Sequence, residues 1–133
     1  MAKISRDEIK KRGFGRFVKS FGYSIAGLKY AYKYEQSMFI HFLVTFVVII
    51  MGFILHITAF EWLITFLVIG LVLSAELLNT AIEAVVDMVT LEYHPLAKIA
   101  KDCGSAATFI LAMMAAVVGL IIFIPHLIDL LGL

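Results

Sequence analysis

Three long apolar runs constrain this chain more than any other feature of its sequence. They extend from Phe39 to Ile57, from Trp62 to Val86 and from Ala106 to Ile128. A helix needs about 20 consecutive apolar residues to cross the roughly 30 Å hydrocarbon core of a bilayer, and each run approaches or exceeds that length. Only 16% of the residues are charged, against roughly a quarter in soluble proteins. We therefore predict an all-α integral membrane protein with three transmembrane helices.

These runs divide one predicted membrane domain, residues 1–133, into five parts. The predicted parts are an N-terminal segment at 1–35, span 1 at 39–57, span 2 at 62–86, a loop at 88–105 and span 3 at 106–128. The N-terminal segment lacks the apolar run and the small-residue cleavage site of a signal peptide, so we expect it in the mature protein. Within the loop, Pro95 suits the first turn of a short helix over about 95–100.

The basic residues indicate how the chain is oriented. Nine of the eleven Lys and Arg residues precede the first span, and the other two, Lys98 and Lys101, lie between the second and third spans. Cytoplasmic loops carry an excess of basic residues. We therefore predict that the N-terminus and the loop at 88–105 face the cytoplasm, where soluble partners can reach them.

Residues 14–34 have the pattern of an amphipathic helix. Apolar side chains recur at spacings of three and four residues, which places them on one helical face: Phe14, Phe17, Phe21, Ile25, Leu28 and Tyr32. Basic residues occupy much of the remainder, as in helices that lie in the membrane interface. We expect contact with anionic lipid headgroups and not with nucleic acid. A plain membrane anchor is the alternative interpretation of this helix.

Two carboxylates and an amide interrupt the second span, namely Glu76, Glu83 and Asn79, and a third carboxylate, Asp87, follows directly after it. At about 100° per residue they fall within an arc of about 80°, so they form a stripe on one helical face. A charge near the centre of a spanning helix costs about 2.5–3.5 kcal/mol, whereas a Leu, Ile or Val returns about 0.3–0.6 kcal/mol. Such residues are usually functional, although structural pairing is the alternative. With the predicted orientation, Glu76 lies about 16 Å deeper in the membrane than Asp87.

The stripe suggests phosphoryl-transfer chemistry. Carboxylates and Lys side chains near a membrane surface suit a polyphosphate bound to Mg²⁺, and a deeper carboxylate can accept a proton from a hydroxyl held at headgroup level. The chain has no GxxxxGK[ST] phosphate-binding loop, so any ATP site must be assembled from helices and side chains. Gly104 and Ser105 allow close approach where the loop at 88–105 meets the third span.

The stretch "AELLNTAIEAVVDMVTLEYHPLAKIAKDCGSAAT" resembles the signature of the small prokaryotic diacylglycerol kinase family, and "RFVKSFGYSIAGLKYAYKYE" is similar to the family's N-terminal segment. The resemblance implies an ATP- and Mg²⁺-dependent kinase that phosphorylates a lipid alcohol in the bacterial cell membrane. It also implies a homotrimer of three-span protomers, with a surface helix and active sites shared between protomers.

The resemblance assigns roles by motif position. Glu76 is the expected general base, Asn79 is expected to position the reacting groups, and Glu35 and Glu83 are the expected Mg²⁺ ligands. The residues expected around the nucleotide are Arg16, Tyr23, Glu35, Glu83, Asp87, Glu92, Tyr93, His94, Lys101 and Asp102. The residues expected near the lipid are Ser37, His41, Glu76 and Ser105.

His41 bears on the choice of lipid. The branch of the family that phosphorylates diacylglycerol has a carboxylate at this position, whereas His resembles the Gram-positive branch that phosphorylates undecaprenol. We therefore favour undecaprenol, with diacylglycerol as the alternative. A small proton-coupled transporter is the alternative from another class, but its polar residues would usually occur on several spans. A non-catalytic anchor protein would leave the polar stripe unexplained.

Overall fold

Four helices form the part of the chain that the structure describes. The structure is a computed structural model, and it describes residues 13–132. The helices are α1 at Phe14–Tyr34, α2 at Gln36–Ile54, α3 at Ala59–Val89 and α4 at Pro95–Leu131. The basic residues predicted to mark the cytoplasmic N-terminus at positions 3, 6, 10, 11 and 12 lie outside the described residues.

The helices α2, α3 and α4 are each long and apolar enough to cross a membrane. This confirms that the chain has three long apolar helices. Large apolar side chains remain exposed along them, for example Phe46 at 63% and Leu67 at 63%. Soluble monomers rarely expose apolar surface over so large an area, so these helices are suited to contact with lipid or with other apolar helices.

The segment predicted as a cytoplasmic loop at 88–105, with a short helix over about 95–100, is mostly helical. The connection between α3 and α4 is confined to residues 90–94, and α4 then continues without a break to Leu131. Pro95 begins α4, and the His94 side chain accepts a hydrogen bond from the backbone N–H of Leu96. The polar residues that follow are compatible with a helix, and a single glycine such as Gly104 costs only about 1 kcal/mol there.

A polar arrangement begins α3 at the opposite end of the bundle. Thr58 and Glu61 form a capping box, in which the Thr58 hydroxyl accepts from the backbone N–H of Glu61 and the Glu61 carboxylate accepts from that of Thr58. Such a box satisfies donors that the first helical turn leaves unpaired. The Glu61 carboxylate also lies 3.0 Å from Nε2 of His126. The cap therefore connects the start of α3 to the end of α4.

Packing around the turn between α2 and α3 adds an apolar cluster at this end. Leu55, Ile57 and Ile122 are buried together, and Trp62 packs against them. The Trp62 ring lies 5.0 Å from the ring of Phe53. Along the bundle α3 packs most extensively against α4, while α2 packs against α3, and α1 contacts both α2 and α3.

We expect Gly52→Ala to destabilise the fold. A Cβ atom at Gly52 would lie 2.7 Å from the Trp62 ring, so the ring would have to move, at a cost of about 1–3 kcal/mol. Unfolding by denaturant in detergent micelles measures the change in free energy. Gly70→Ala is the matched control, because a Cβ at Gly70 meets nothing within 4 Å. Equal stability of the two variants would contradict the role of this contact.

Candidate active site

Glu76 is a buried carboxylate held by two residues of α2. It is only 4% exposed. The Ser37 hydroxyl donates to Oε2 at 2.9 Å, and Nε2 of His41 lies 3.0 Å from Oε1. Ser37 and His41 are four residues apart, so they lie on one face of α2. The structure therefore brings together three of the four residues predicted near the lipid, whereas Ser105 is exposed on α4 outside this cluster.

One helical turn further along α3, Asn79 connects the stripe to α4. Its Nδ2 donates to Oε1 of Glu83 at 2.9 Å. Its Oδ1 is buried and has no partner within residues 13–132. Gly104 of α4 is packed so closely that an added Cβ would overlap this oxygen. The glycine therefore leaves the space in which Asn79 reaches Glu83.

Glu35 lies between α1 and α2, close enough to the stripe to interact with it electrostatically. Partial burial raises the pKa of Glu35, and the carboxylates of Glu83 and Glu76 raise it further. Each of these effects disfavours the charged form of Glu35. A cation bound among these carboxylates would offset their mutual repulsion.

Glu35 and Glu83, the predicted Mg²⁺ ligands, are not part of a closed metal cage within residues 13–132. Within the described part of the chain, no group of three or more His, Cys, Asp or Glu side chains is arranged to hold a metal ion. Mg²⁺ commonly takes one or two carboxylates and fills its other positions with water and phosphate oxygens. Glu35 and Glu83 have the donor chemistry for such a site.

A polar cavity of about 260 Å³ lies where α3 and α4 meet the connection at 90–94. Six residues predicted around the nucleotide line it, namely Asp87, Glu92, Tyr93, His94, Lys101 and Asp102. Lys101 donates to Asp87 at 2.6 Å, and Lys98 forms an ion pair with Asp102. Arg16 and Tyr23 are exposed on α1 and do not line this cavity.

An apolar groove of about 340 Å³ lies between α2, α3 and α4. Its lining includes Val44, Val48, Val72 and four small residues of α4, namely Ala112, Ala115, Ala116 and Gly119. His41 also lines the groove, so the groove reaches the side chain that contacts Glu76. The sequence reasoning did not identify this groove. The small residues at 112, 115, 116 and 119 were an available signal, because their spacing places them on one helical face.

The polar stripe connects the two cavities. Asp87 lines the polar cavity, whereas Glu76 contacts His41 at the apolar groove. A separation of eleven residues along one α-helix corresponds to about 16 Å. Polar side chains at Asn79 and Glu83 occupy the interval. Polar side chains on one face of α3 therefore join the polar cavity to the apolar groove.

Comparison with known proteins identifies the family of this chain. Residues 22–123 match the family described as prokaryotic diacylglycerol kinase. Undecaprenol kinase from Bacillus subtilis (strain 168) is 42% identical over 112 residues, which cover 84% of this chain and 91% of the relative. Diacylglycerol kinase from Escherichia coli (strain K12) is 35% identical over 114 residues, which cover 86% of this chain and 93% of the relative.

A third relative, diacylglycerol kinase from Pseudomonas aeruginosa, is 44% identical over 98 residues, which cover 74% of this chain and 80% of the relative. The matched range 22–123 contains every residue assigned to the site except Arg16. These matches confirm the family resemblance that the motifs indicate. The chain belongs to the prokaryotic diacylglycerol kinase family, a family of membrane lipid kinases.

Proposed function

We propose that this protein transfers the γ-phosphate of ATP to the hydroxyl of a membrane lipid alcohol. Undecaprenol is the favoured substrate and diacylglycerol is the alternative. The observation that carries the proposal is the position of Glu76, which is buried where the polar stripe meets the apolar groove. A lipid whose chain lies in the groove would present its hydroxyl near this carboxylate.

Glu76 is the proposed general base. Its carboxylate accepts the proton of the lipid hydroxyl, whose oxygen attacks the γ-phosphorus while the bond from phosphorus to the bridging oxygen of ADP breaks. Phosphoryl transfer depends mainly on positioning and on stabilisation of charge. Asn79 supports that positioning, because its amide holds Glu83 at 2.9 Å. The products are the lipid phosphate and ADP.

We assign the nucleotide to the polar cavity and Mg²⁺ to Glu35 and Glu83. Bound there with the phosphates, Mg²⁺ would neutralise part of their negative charge. Asp87, Glu92, Tyr93, His94 and Asp102 would surround the nucleotide, with Lys101 facing the transferred phosphate. Lys101 is paired with Asp87 in the structure, so it would exchange that partner for phosphate. Arg16 and Tyr23 would contribute from α1.

Two observations favour undecaprenol. The Bacillus subtilis relative is an undecaprenol kinase, and His41 is typical of that branch.

The proposed location is the bacterial cytoplasmic membrane, with the N-terminus and the polar cavity on the cytoplasmic side. The distribution of Lys and Arg supports this orientation. The apolar face of α1 is exposed, and the ring of Phe17 packs 5.2 Å from that of Phe21. This helix is proposed to lie in the interface beside anionic lipids. The family resemblance supports a homotrimer with shared active sites.

The direct test uses purified protein in lipid with Mg²⁺ and γ-labelled ATP, offered undecaprenol and diacylglycerol separately. We expect label in both lipids, with a higher kcat/KM for undecaprenol. Glu76→Gln removes the proposed base and should lower kcat by about 10²–10⁴-fold. Asp129→Asn is the control, because it removes the charge of an exposed carboxylate near the other end of α4. It should leave turnover unchanged. The absence of label from every lipid alcohol tested would refute the kinase proposal for this chain.

Gly104→Ala should impair turnover through Asn79. Because the added Cβ would overlap Asn79 Oδ1, the amide must move away from Glu83, and displacements of about 1 Å in such sites can cost a hundredfold in rate. We expect a loss of ten- to a hundredfold in kcat, on the order of that cost. Gly70→Ala is the control, because a Cβ there meets nothing within 4 Å. Wild-type kcat in folded Gly104→Ala protein would contradict this role for Gly104.

Gly119→Leu should discriminate between lipids by chain length. Gly119 lines the groove, and a Cβ there meets nothing within 4 Å, so a larger side chain can extend from this position into the groove. We expect kcat/KM for undecaprenol to fall by roughly tenfold or more, which is the usual effect of changing the size of an apolar pocket. The loss for the short prenol geraniol should be smaller. Gly70→Leu, outside the groove, is the control. Equal losses for both alcohols would argue against a chain in this groove.

A further inference from the structure

Both oxygens of the Glu76 carboxylate have partners from α2. Oε2 accepts a hydrogen bond from the Ser37 hydroxyl at 2.9 Å, and Oε1 lies 3.0 Å from Nε2 of His41. The carboxylate side chain is 5% exposed, and the His41 side chain is 21% exposed. Water is therefore largely excluded from the carboxylate, and these two side chains replace it.

The arrangement has a direct physical consequence. An ionised carboxylate is costly to bury unless its oxygens accept hydrogen bonds, and a hydrogen bond to a charged group is stronger than one between neutral groups. With His41 in the tautomer that carries the proton on Nε2, both side chains donate to Glu76, each to a different oxygen, and this fixes the plane of the carboxylate as well as its location. A carboxylate has about four acceptor positions, so each oxygen keeps one position free for another donor.

The helix geometry makes the two contacts interdependent. Ser37 and His41 are separated by one helical turn at the start of α2, so they face Glu76 together. Met38, between them, is fully buried at 0% exposure, which fixes the rotation of this part of α2. The two side chains therefore approach Glu76 from a turn of α2 in which Met38 is buried and Ser37 is exposed.

We propose that Ser37 and His41 are positioning residues for the phosphoryl transfer, acting through Glu76. Their contacts orient its carboxylate and leave an acceptor position free for the lipid hydroxyl. This inference rests on the proposed function and adds to it. Proximity to the lipid alone would give these residues a binding role. The contacts with Glu76 give them a role in the rate of the chemical step.

Two pairs of variants distinguish the effect of losing a hydrogen-bond donor from the effect of changing the shape of the side chain. His41→Leu keeps apolar contact with the groove and removes the donor, whereas His41→Gln keeps an N–H donor. Ser37→Ala removes the hydroxyl, and Ser37→Thr retains it. We expect each donor-free variant to lower kcat about ten- to a hundredfold, the range for hydrogen bonds to charged groups. We expect the donor-retaining variants to stay within about threefold of the wild type in kcat, a difference of less than 1 kcal/mol.

The split between kcat and KM distinguishes positioning from binding. The KM values for ATP and for the lipid should remain close to wild type in all four variants, with folding checked by thermal unfolding. A rise in lipid KM at unchanged kcat would overturn the inference in favour of substrate contact. A loss in His41→Gln as large as that in His41→Leu would also overturn it, because it would mean that the imidazole itself takes part in proton transfer.

Nitrogen NMR of the histidine side chains tests the contact without turnover. The ¹⁵N resonances of His41 are assigned by their disappearance in His41→Gln. They should shift in Glu76→Gln and remain in place in Asp129→Asn. Unmoved resonances in Glu76→Gln would overturn the inference. If the His41 resonances shift in Glu76→Gln but the wild-type protein phosphorylates no lipid alcohol, the contact is present and the proposed function is refuted. The two failures are therefore distinguishable.

Discussion

A carboxylate buried inside a helix that can span a membrane is the constraint on which the rest of this structure depends. A polar group is costly to bury unless it is hydrogen-bonded. The structure offsets that cost at Glu76 with donors from α2. Because both donors come from one turn of α2, the helix must meet α3 at a fixed height and rotation. The packing of the bundle and the geometry of the site are therefore a single requirement.

The helix α3, which carries Glu76, joins a polar environment to an apolar one. One end of the stripe lies at the polar cavity beside Asp87, and the other lies at Glu76, next to the apolar groove. A helix can join the two environments because residues three and four apart share one face, and every residue along the helix adds about 1.5 Å of depth. A polar ligand and an apolar ligand can each remain in the environment that suits it. Only the reacting groups then need to meet.

The sequence was sufficient for features that depend on local periodicity. The three apolar helices and the common face of the stripe followed from composition and from spacing along one helix. The predicted short helix over about 95–100 lies within α4, which continues without a break into the third apolar run. Periodicity along one helix could not predict which side chains contact Glu76. Ser37 and His41 are 39 and 35 residues from it in sequence, and their pairing depends on how two helices are aligned.

Each carboxylate of the stripe is supported in a different way, and the supports come from both neighbouring helices. Glu76 is held by α2, and Glu83 is held by Asn79, for which Gly104 of α4 leaves space. Asp87 is paired with Lys101 of α4. A sliding movement of α4 along α3 would disturb Asn79 and Lys101 together, whereas a movement of α2 would disturb Glu76. The alignment of the three helices therefore determines the geometry along the whole stripe, and distant packing contacts such as Gly52 against Trp62 contribute to it.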